Sequence, residues 1–485
     1  MLLNRNKFND QCHACWLGKN IGGTIGTPYE GRREMLDVRG FSTPPGVALP
    51  NDDLDLQLVW LHAVEQLGPR AVTAARLGEF WLSYITPHWN EYGIAKSNMQ
   101  RGLVAPLAGD FGNVWKHSNG AWIRTEIWAC LSPGCPDSAA RFAIEDASVD
   151  HGTGEGTVAA AFVAAMQSAA FVLRDVRGCI EAGLSRIPEE SRVAGSVRRV
   201  LDCYERGLKP QDTRNLVQQD NADIGDGWFE SPSNVAYAVL GLLYGEGDFK
   251  KSLLLAVNCG DDTDCTAATV GATLGIMGGT AAIPEDWRTY IGDTIHTISI
   301  ARGDVARSLP ETCTELTRRI TRLTPEALIA GGTDTALTDG EEQLPDDLAR
   351  RLADGAKIRR YLTAMRPYSF TVDFDYAQAT VSLDRAPVIA PGDGVGITLH
   401  LSNNCSAFDN RPYHLNFRWW LPDGFSVAGP QTAYLPAPSR HTETEIDLSF
   451  SLHAGETLRP TNRVVLEITA EGRSVSGYLP IVLLG

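Results

Sequence analysis

The sequence predicts a mainly α protein: an all-α domain followed by a small all-β, immunoglobulin-like sandwich. Two observations carry this. Residues from about 8 to 325 hold long apolar stretches at helical spacing, with no strand-rich alternation for long. From Tyr368 the pattern switches to short alternating segments punctuated by Pro, Gly, Asp and Asn.

The helical elements follow in order. In "DLDLQLVWLHAVEQLG", Leu54, Leu58 and Leu61 fall at i, i+4 and i+7, and Gly68 stops the helix. "GTVAAAFVAAMQSAAFVL" (Gly156–Leu173) is apolar nearly all round, which predicts a central helix. "SNVAYAVLGLLYGEGDF" and "KKSLLLAVNCG" continue the pattern. The predicted domains are 1–330, all-α; 331–365, a polar linker with a short helix ("LARRLADGAKIRRYLTAM"); and 366–485, an accessory β-sandwich of about seven strands. Trp419 and Trp420 in that sandwich read as core residues, with carbohydrate binding as the alternative.

Composition narrows the function. Of 485 residues, 43% are apolar and 21% charged, an ordinary globular balance with length for a packed core. A formal charge of -16 disfavours nucleic acid, which needs a Lys/Arg surplus. It is compatible with cation binding. The amino terminus lacks the apolar core of a secretory signal, and the uncharged run Cys265–Ile283 reads as a buried helix, not a membrane span. Ten scattered cysteines, including a lone CxxC at Cys12 and Cys15, read as reduced and structural in a cytoplasmic protein.

Two acidic clusters stand out. "NCGDDTDCTAATVGATLGIMGG" (Asn258–Gly279) crowds Asp261, Asp262 and Asp264 at the mouth of an uncharged Gly/Ala/Thr run. "LPNDDLDLQLVWL" sets Asn51, Asp52, Asp53 and Asp55 at another helix entrance. Carboxylates there can cap free N–H groups and meet the positive end of the helix dipole. Capping needs only one or two, and the rest repel; a divalent cation relieves that repulsion. Neither cluster contains His, so hard cations of the Mg/Ca/Mn type suit them better than zinc.

With "ACWLGKNIGGTIGTPYEG" (Ala14–Gly31) ahead of "NDDLDLQL" and "GDDTDCTAATVGATLG", and "AIPEDW" (Ala282–Trp287) after, the sequence resembles the ADP-ribosylglycohydrolases over roughly residues 8–300, in particular a bacterial branch with a carboxy-terminal β-sandwich. The resemblance implies an all-α fold and two divalent cations, Mg²⁺ by default, with Mn²⁺ or Ca²⁺ as alternatives. It implies metal ligands at Asp52, Asp53, Asp262 and Asp264, with Asn51 and Cys265 standing where the family has Thr. Cys265 is a soft sulfur, poor for Mg²⁺, so one metal position is expected to be weakened or altered. Glu30 matches the family's acid near the metals. Glu30 and Asp53 are the expected catalytic carboxylates, Asp52 being the alternative to Asp53.

Four polar–aromatic loops supply the expected substrate contacts. "TPHWNEYG" offers Trp89, Asn90 and Glu91. "HSNGAWIRTEIWACLSPGCPD" offers Trp122, Arg124 and Glu126; "EDASVDHGTGEGT" offers Asp150, His151 and Glu155; "DGWFESPSN" forms a further turn. Each residue also has an ordinary reading as packing, capping or surface salt bridge. The expected activity is metal-dependent hydrolysis of the N- or O-glycosidic bond of an ADP-ribosyl group or related furanoside. Its partner is then a small-molecule glycoside or an ADP-ribosylated substrate, with no nucleic acid and no membrane. The rivals are a glycosidase for an unrelated sugar or nucleoside, and a non-catalytic binding protein on the same scaffold.

Overall fold

A computed structural model describes residues 1–225, 229–301, 308–374, 376–403, 411–437 and 444–485. The chain forms two compact units. One comprises residues 1–93 and 114–364, the other 94–113 and 365–485.

The first unit is helical, with one short parallel strand pair, Leu2–Asn4 against Ala336–Thr338. At its centre the opening helix, Arg5–Gly26, lies antiparallel to the helix Thr263–Gly278. The contact is backbone to backbone. A Cβ on Gly18 would lie 2.1 Å from the Gly271 carbonyl oxygen, and one on Gly22 would lie 2.3 Å from that of Ala267. Only small residues permit this approach, which explains the uncharged Gly/Ala/Thr run. The antiparallel crossing sets the end of the first helix beside the start of the second. Thr263 Oγ1 locks them by donating to the Gly26 carbonyl at 2.8 Å.

The helix Asp52–Leu67 forms where its periodicity predicts. Leu54, Leu58 and Leu61 are buried, and Gly68 takes a φ of 75° at its end. The central helix Glu155–Ala170 is buried along most of its length, against the helix Pro136–His151. The helices Ser231–Gly245 and Phe249–Asn258 follow, joined through Glu246 in the left-handed region at φ 57°. The described cysteines are all buried and free. Among the described residues, no helix is long and apolar enough to cross a membrane.

The second unit contains two antiparallel sheets. One orders Ser476–Leu484, Thr461–Ala470, Tyr413–Trp420 and Thr432–Leu435; the other orders Ser369–Asp373, Ala377–Leu383, Gly394–Asn403, Glu445–His453 and Ser426–Ala428. Among the described residues these nine strands exceed the about seven expected. The additional short strands carry too few residues to show alternation. The two tryptophans divide. Trp419 packs edge-on to Phe450 at 5.1 Å, whereas Trp420 is outward and 47% exposed, which corrects its reading as core. Consecutive residues of a strand face opposite sides of the sheet.

Candidate active site and acidic cavity

Within the helical unit, Glu30, Asn51, Asp52, Asp262, Asp264 and Cys265 line one cavity of about 380 Å³, with Trp89, Asn90, Glu91, Ser118 and Asn119. Three local features bring them together. The helix crossing sets Glu30 near Asp264. Asp261, at φ 67°, turns the chain so that its N–H donates to the Arg32 carbonyl at 2.6 Å and its own carbonyl accepts from Gly31 at 2.8 Å. Asn51 caps the helix Asp52–Leu67 by accepting from the Asp53 N–H at 2.8 Å, and its Nδ2 donates to Asp264 Oδ2 at 3.2 Å.

The acids differ in what their oxygens touch. Asp262 Oδ2 accepts from Asn119 Nδ2 at 2.7 Å, and Asp264 Oδ2 accepts from Asn51. Asp262 Oδ1 and Asp264 Oδ1 are buried and make no hydrogen bond. Each aspartate is thus held by an amide on one side and bare on the other. Buried bare carboxylate oxygens are costly unless a cation meets them. Glu30, Asp262 and Asp264 each offer a ligand atom, and these atoms all lie within 4.8 Å of one another. An oxygen-only set of this kind fits a hard divalent cation.

Electrostatics agree. Asp264, burial and Asp52 together push the Glu30 carboxyl up to about 8. Burial and Asp264 push Asp52 up to about 6. Burial, then Asp264 and Glu30, raise Asp262 well above the usual carboxylate range. Both helix entrances aim N-terminal N–H groups at the same region, which offsets part of the repulsion.

Asp53 does not line the cavity. It is buried: Oδ2 lies 3.4 Å from Lys19 Nζ, and Oδ1 accepts from the Cys265 thiol at 3.2 Å. Asp52 is the carboxylate of that motif on the wall, accepting from the Tyr92 hydroxyl at 3.4 Å. The Asn51 oxygen, expected to reach a metal, caps its helix. Burial, then the surrounding aspartates, raises the Cys265 thiol well above its ordinary value, and its soft sulfur matches hard cations poorly.

The expected substrate residues divide similarly. Trp89 is 50% exposed at the rim and stacks on Tyr92, with centroids 6.1 Å apart. Asn90 and Glu91 line the cavity, and burial raises the Glu91 carboxyl. Trp122, Glu126, His151 and Glu155 do not line it. Trp122 is buried and donates its indole N–H to Asn119 at 3.0 Å. Glu126 is buried among Lys19, Gln57 and Gln167. His151 Nε2 sits 3.2 Å from the hydroxyl of Ser118, which does reach the wall. Glu155 caps another helix, accepting from the N–H groups of Arg192 and Val193 at 3.0 Å each. Of "DGWFESPSN", residues 226–228 lie outside the described residues, and Phe229 lines the cavity.

Arg124 and Asp150, offered by the loops as substrate contacts, do not line the cavity either. Arg124 is buried, pairs with Asp146 at 2.9 Å and Asp150 at 2.7 Å, and donates to the Gly120 carbonyl, fixing the Asn119–Gly120 turn. Burial alone would push Asp150 up; Arg124 and His151 outweigh it and hold it at about 2. Lys19 is buried and donates to the Ile123 carbonyl at 2.6 Å and to Glu126 at 3.1 Å. Its one signal in the sequence is a lone charge inside "WLGKNIGG".

Known proteins match parts of the chain. A 27% identical stretch of 305 residues, 59% of this chain, covers 93% of an uncharacterized protein of Archaeoglobus fulgidus. A solved ADP-ribosylglycohydrolase-related protein complex is 21% identical, covering 66% of this chain and 99% of its own, with a TM-score of 0.44. A FixG-related protein from Vibrio parahaemolyticus is 15% identical over 23% of this chain and 97% of its own, with a TM-score of 0.19. The sequence profile of the ADP-ribosylglycohydrolases matches residues 4–324, and on that match the chain belongs to the ADP-ribosylglycohydrolase family.

Proposed function

We propose that this chain is a divalent-metal-dependent glycoside hydrolase that cleaves the N- or O-glycosidic bond of an ADP-ribosyl group or related furanoside. One observation carries it: the bare oxygens of Asp262 and Asp264 beside Glu30, on the wall of a cavity. Glu30, Asp262 and Asp264 would hold the cation, Mg²⁺ or Mn²⁺, with Asp52 beside them. When bound, it supplies charge stabilisation for an oxocarbenium-like state and a grip on vicinal hydroxyls.

The chain's own residues do the rest. Glu30 lines the cavity beside Asp262 and Asp264 and is the acid suited to take a proton from the attacking water. Asn119 and Asn51 orient the aspartates. Trp89 offers an exposed ring for a planar group of the substrate.

A cavity of about 380 Å³ favours one refinement. Small-molecule pockets span roughly 300–1,000 Å³, and this one is near the small end. A compact furanoside or nucleoside is therefore the second reading.

The test is a panel of ADP-ribosyl-arginine, ADP-ribosyl-serine, nucleosides and aryl furanosides, with Mg²⁺, Mn²⁺ or chelator. The expected result is turnover of one class that stops with chelator and falls at least ~100-fold in Glu30→Gln. Asp262→Asn is expected to lose most of the metal binding seen by calorimetry. Unchanged metal binding in Asp262→Asn, or chelator-resistant turnover, would overturn the proposal.

A further inference from the structure

We infer that Lys19 is a built-in cation standing in for a second metal ion, so that this chain binds one divalent ion, on the Glu30–Asp262–Asp264 side. The inference rests on the reading of this cavity as a metal site.

Two trios of potential ligand atoms share Asp264. One is Glu30, Asp262 and Asp264; the other is Asp53, Asp264 and Cys265; within each, all atoms lie within 4.8 Å of one another. By spacing alone, each trio could take an ion. Their surroundings differ. The first is on the cavity wall and holds two bare buried oxygens. In the second, both Asp53 oxygens already have protein partners, the Lys19 ammonium at 3.4 Å and the Cys265 thiol at 3.2 Å.

Lys19 cannot easily leave. Its side chain is 1% exposed, and its Nζ is also held by the Ile123 carbonyl at 2.6 Å and Glu126 at 3.1 Å. These three partners match the three donors of an ammonium. An ion at Asp53 would face a fixed positive charge in a water-poor setting, where charges act strongly. It would also need sulfur from Cys265, which hard cations bind poorly. Lys19 and Cys265 thus close the same position from two sides. A lysine that only balanced Glu126 in the core would leave the ion count unchanged when removed.

The experiment counts ions. Full-length protein is stripped with chelator, loaded with Mn²⁺ and passed through gel filtration; bound Mn²⁺ is measured by elemental analysis and by electron paramagnetic resonance. The expected result is one ion per wild-type chain with an uncoupled spectrum. Lys19→Met combined with Cys265→Thr is expected to double the bound Mn²⁺ and give a spin-coupled spectrum, while Lys19→Arg stays at one ion. Two coupled ions in the wild type would overturn this inference and leave the proposed function standing. No bound ion in the wild type would overturn both. A folded double variant that still holds one ion would also overturn it; should that variant not fold, the wild-type count decides.

Discussion

Asn51 Nδ2 lies 3.2 Å from Asp264 Oδ2 across 213 positions of sequence. The same Asn51 side chain caps the helix Asp52–Leu67. A residue that starts one helix therefore sets the orientation of an acid in the first turn of another. With Asn119 doing the same for Asp262, each of the two aspartates on the cavity wall keeps one buried oxygen without a hydrogen bond. This is preorganisation by hydrogen bonds between distant turns.

The helix crossing should tolerate no added volume. A Cβ on Gly22 would lie 2.3–2.5 Å from the backbone O, C and N atoms around Ala267, none of which can swing aside. Gly22→Ala is expected to destabilise the protein by about 1–3 kcal/mol or more. It should also weaken metal binding, because Glu30 and Asp264 sit at the end of that crossing. Gly195→Ala, at an exposed helix position with nothing within 4 Å, is the control. It should be neutral or stabilising by up to about 1 kcal/mol. Equal melting temperatures for the two variants would contradict the argument.

Stability of the metal-free protein should fall as pH rises above ~6.5. Glu30 has its carboxyl raised to about 8 in the folded chain, against ~4.3 when unfolded. Between those values the folded state holds more protons, so its contribution is full below ~4.3 and lost as pH climbs toward 8. Below ~6.5 a second group opposes this trend. Burial lowers His117 to about 4, and its contribution is lost as pH falls from ~6.5 toward 4. The clean window is therefore pH 6.5–8, with chelator present. Melting temperature should decline there, and Mn²⁺ should reverse the decline by meeting the ionised acids. A rise across that window in chelator would contradict the sign.

Glu155 and Trp89 should separate stability from binding. Glu155→Gln weakens a cap on the helix Arg192–Glu205 and should cost about 1 kcal/mol of stability with kcat/KM unchanged. Trp89→Ala removes a ring 50% exposed at the cavity rim, so melting temperature should hold while KM rises ~2- to 10-fold. Thermal melts and steady-state kinetics on both variants check this. The reverse pattern would exchange the two roles.

Much of the molecule was legible in its residues. Leu54, Leu58 and Leu61 mark a helix face, Gly68 marks its end, and the alternation after Tyr368 marks strands. These signals are local, since period and capping depend on neighbours within one turn or one hairpin. The acid-rich helix entrances were legible for the same reason. Glu126 and Glu155 were not, because "EDASVDHGTGEGT" gives no sign that Glu155 turns toward Arg192 and Val193.

By itself, the sequence determined the division into a helical and a strand-rich part, the family, and which turns carry the acids. Only the tertiary structure decided which of those acids face the cavity, that Asp53 is claimed by Lys19 and Cys265, and that Asp262 and Asp264 each keep one oxygen bare. The reason is physical. Helix formation follows nearest-neighbour spacing, whereas a carboxylate's partners come from chain segments brought together by packing, here glycine backbones crossing at contact distance.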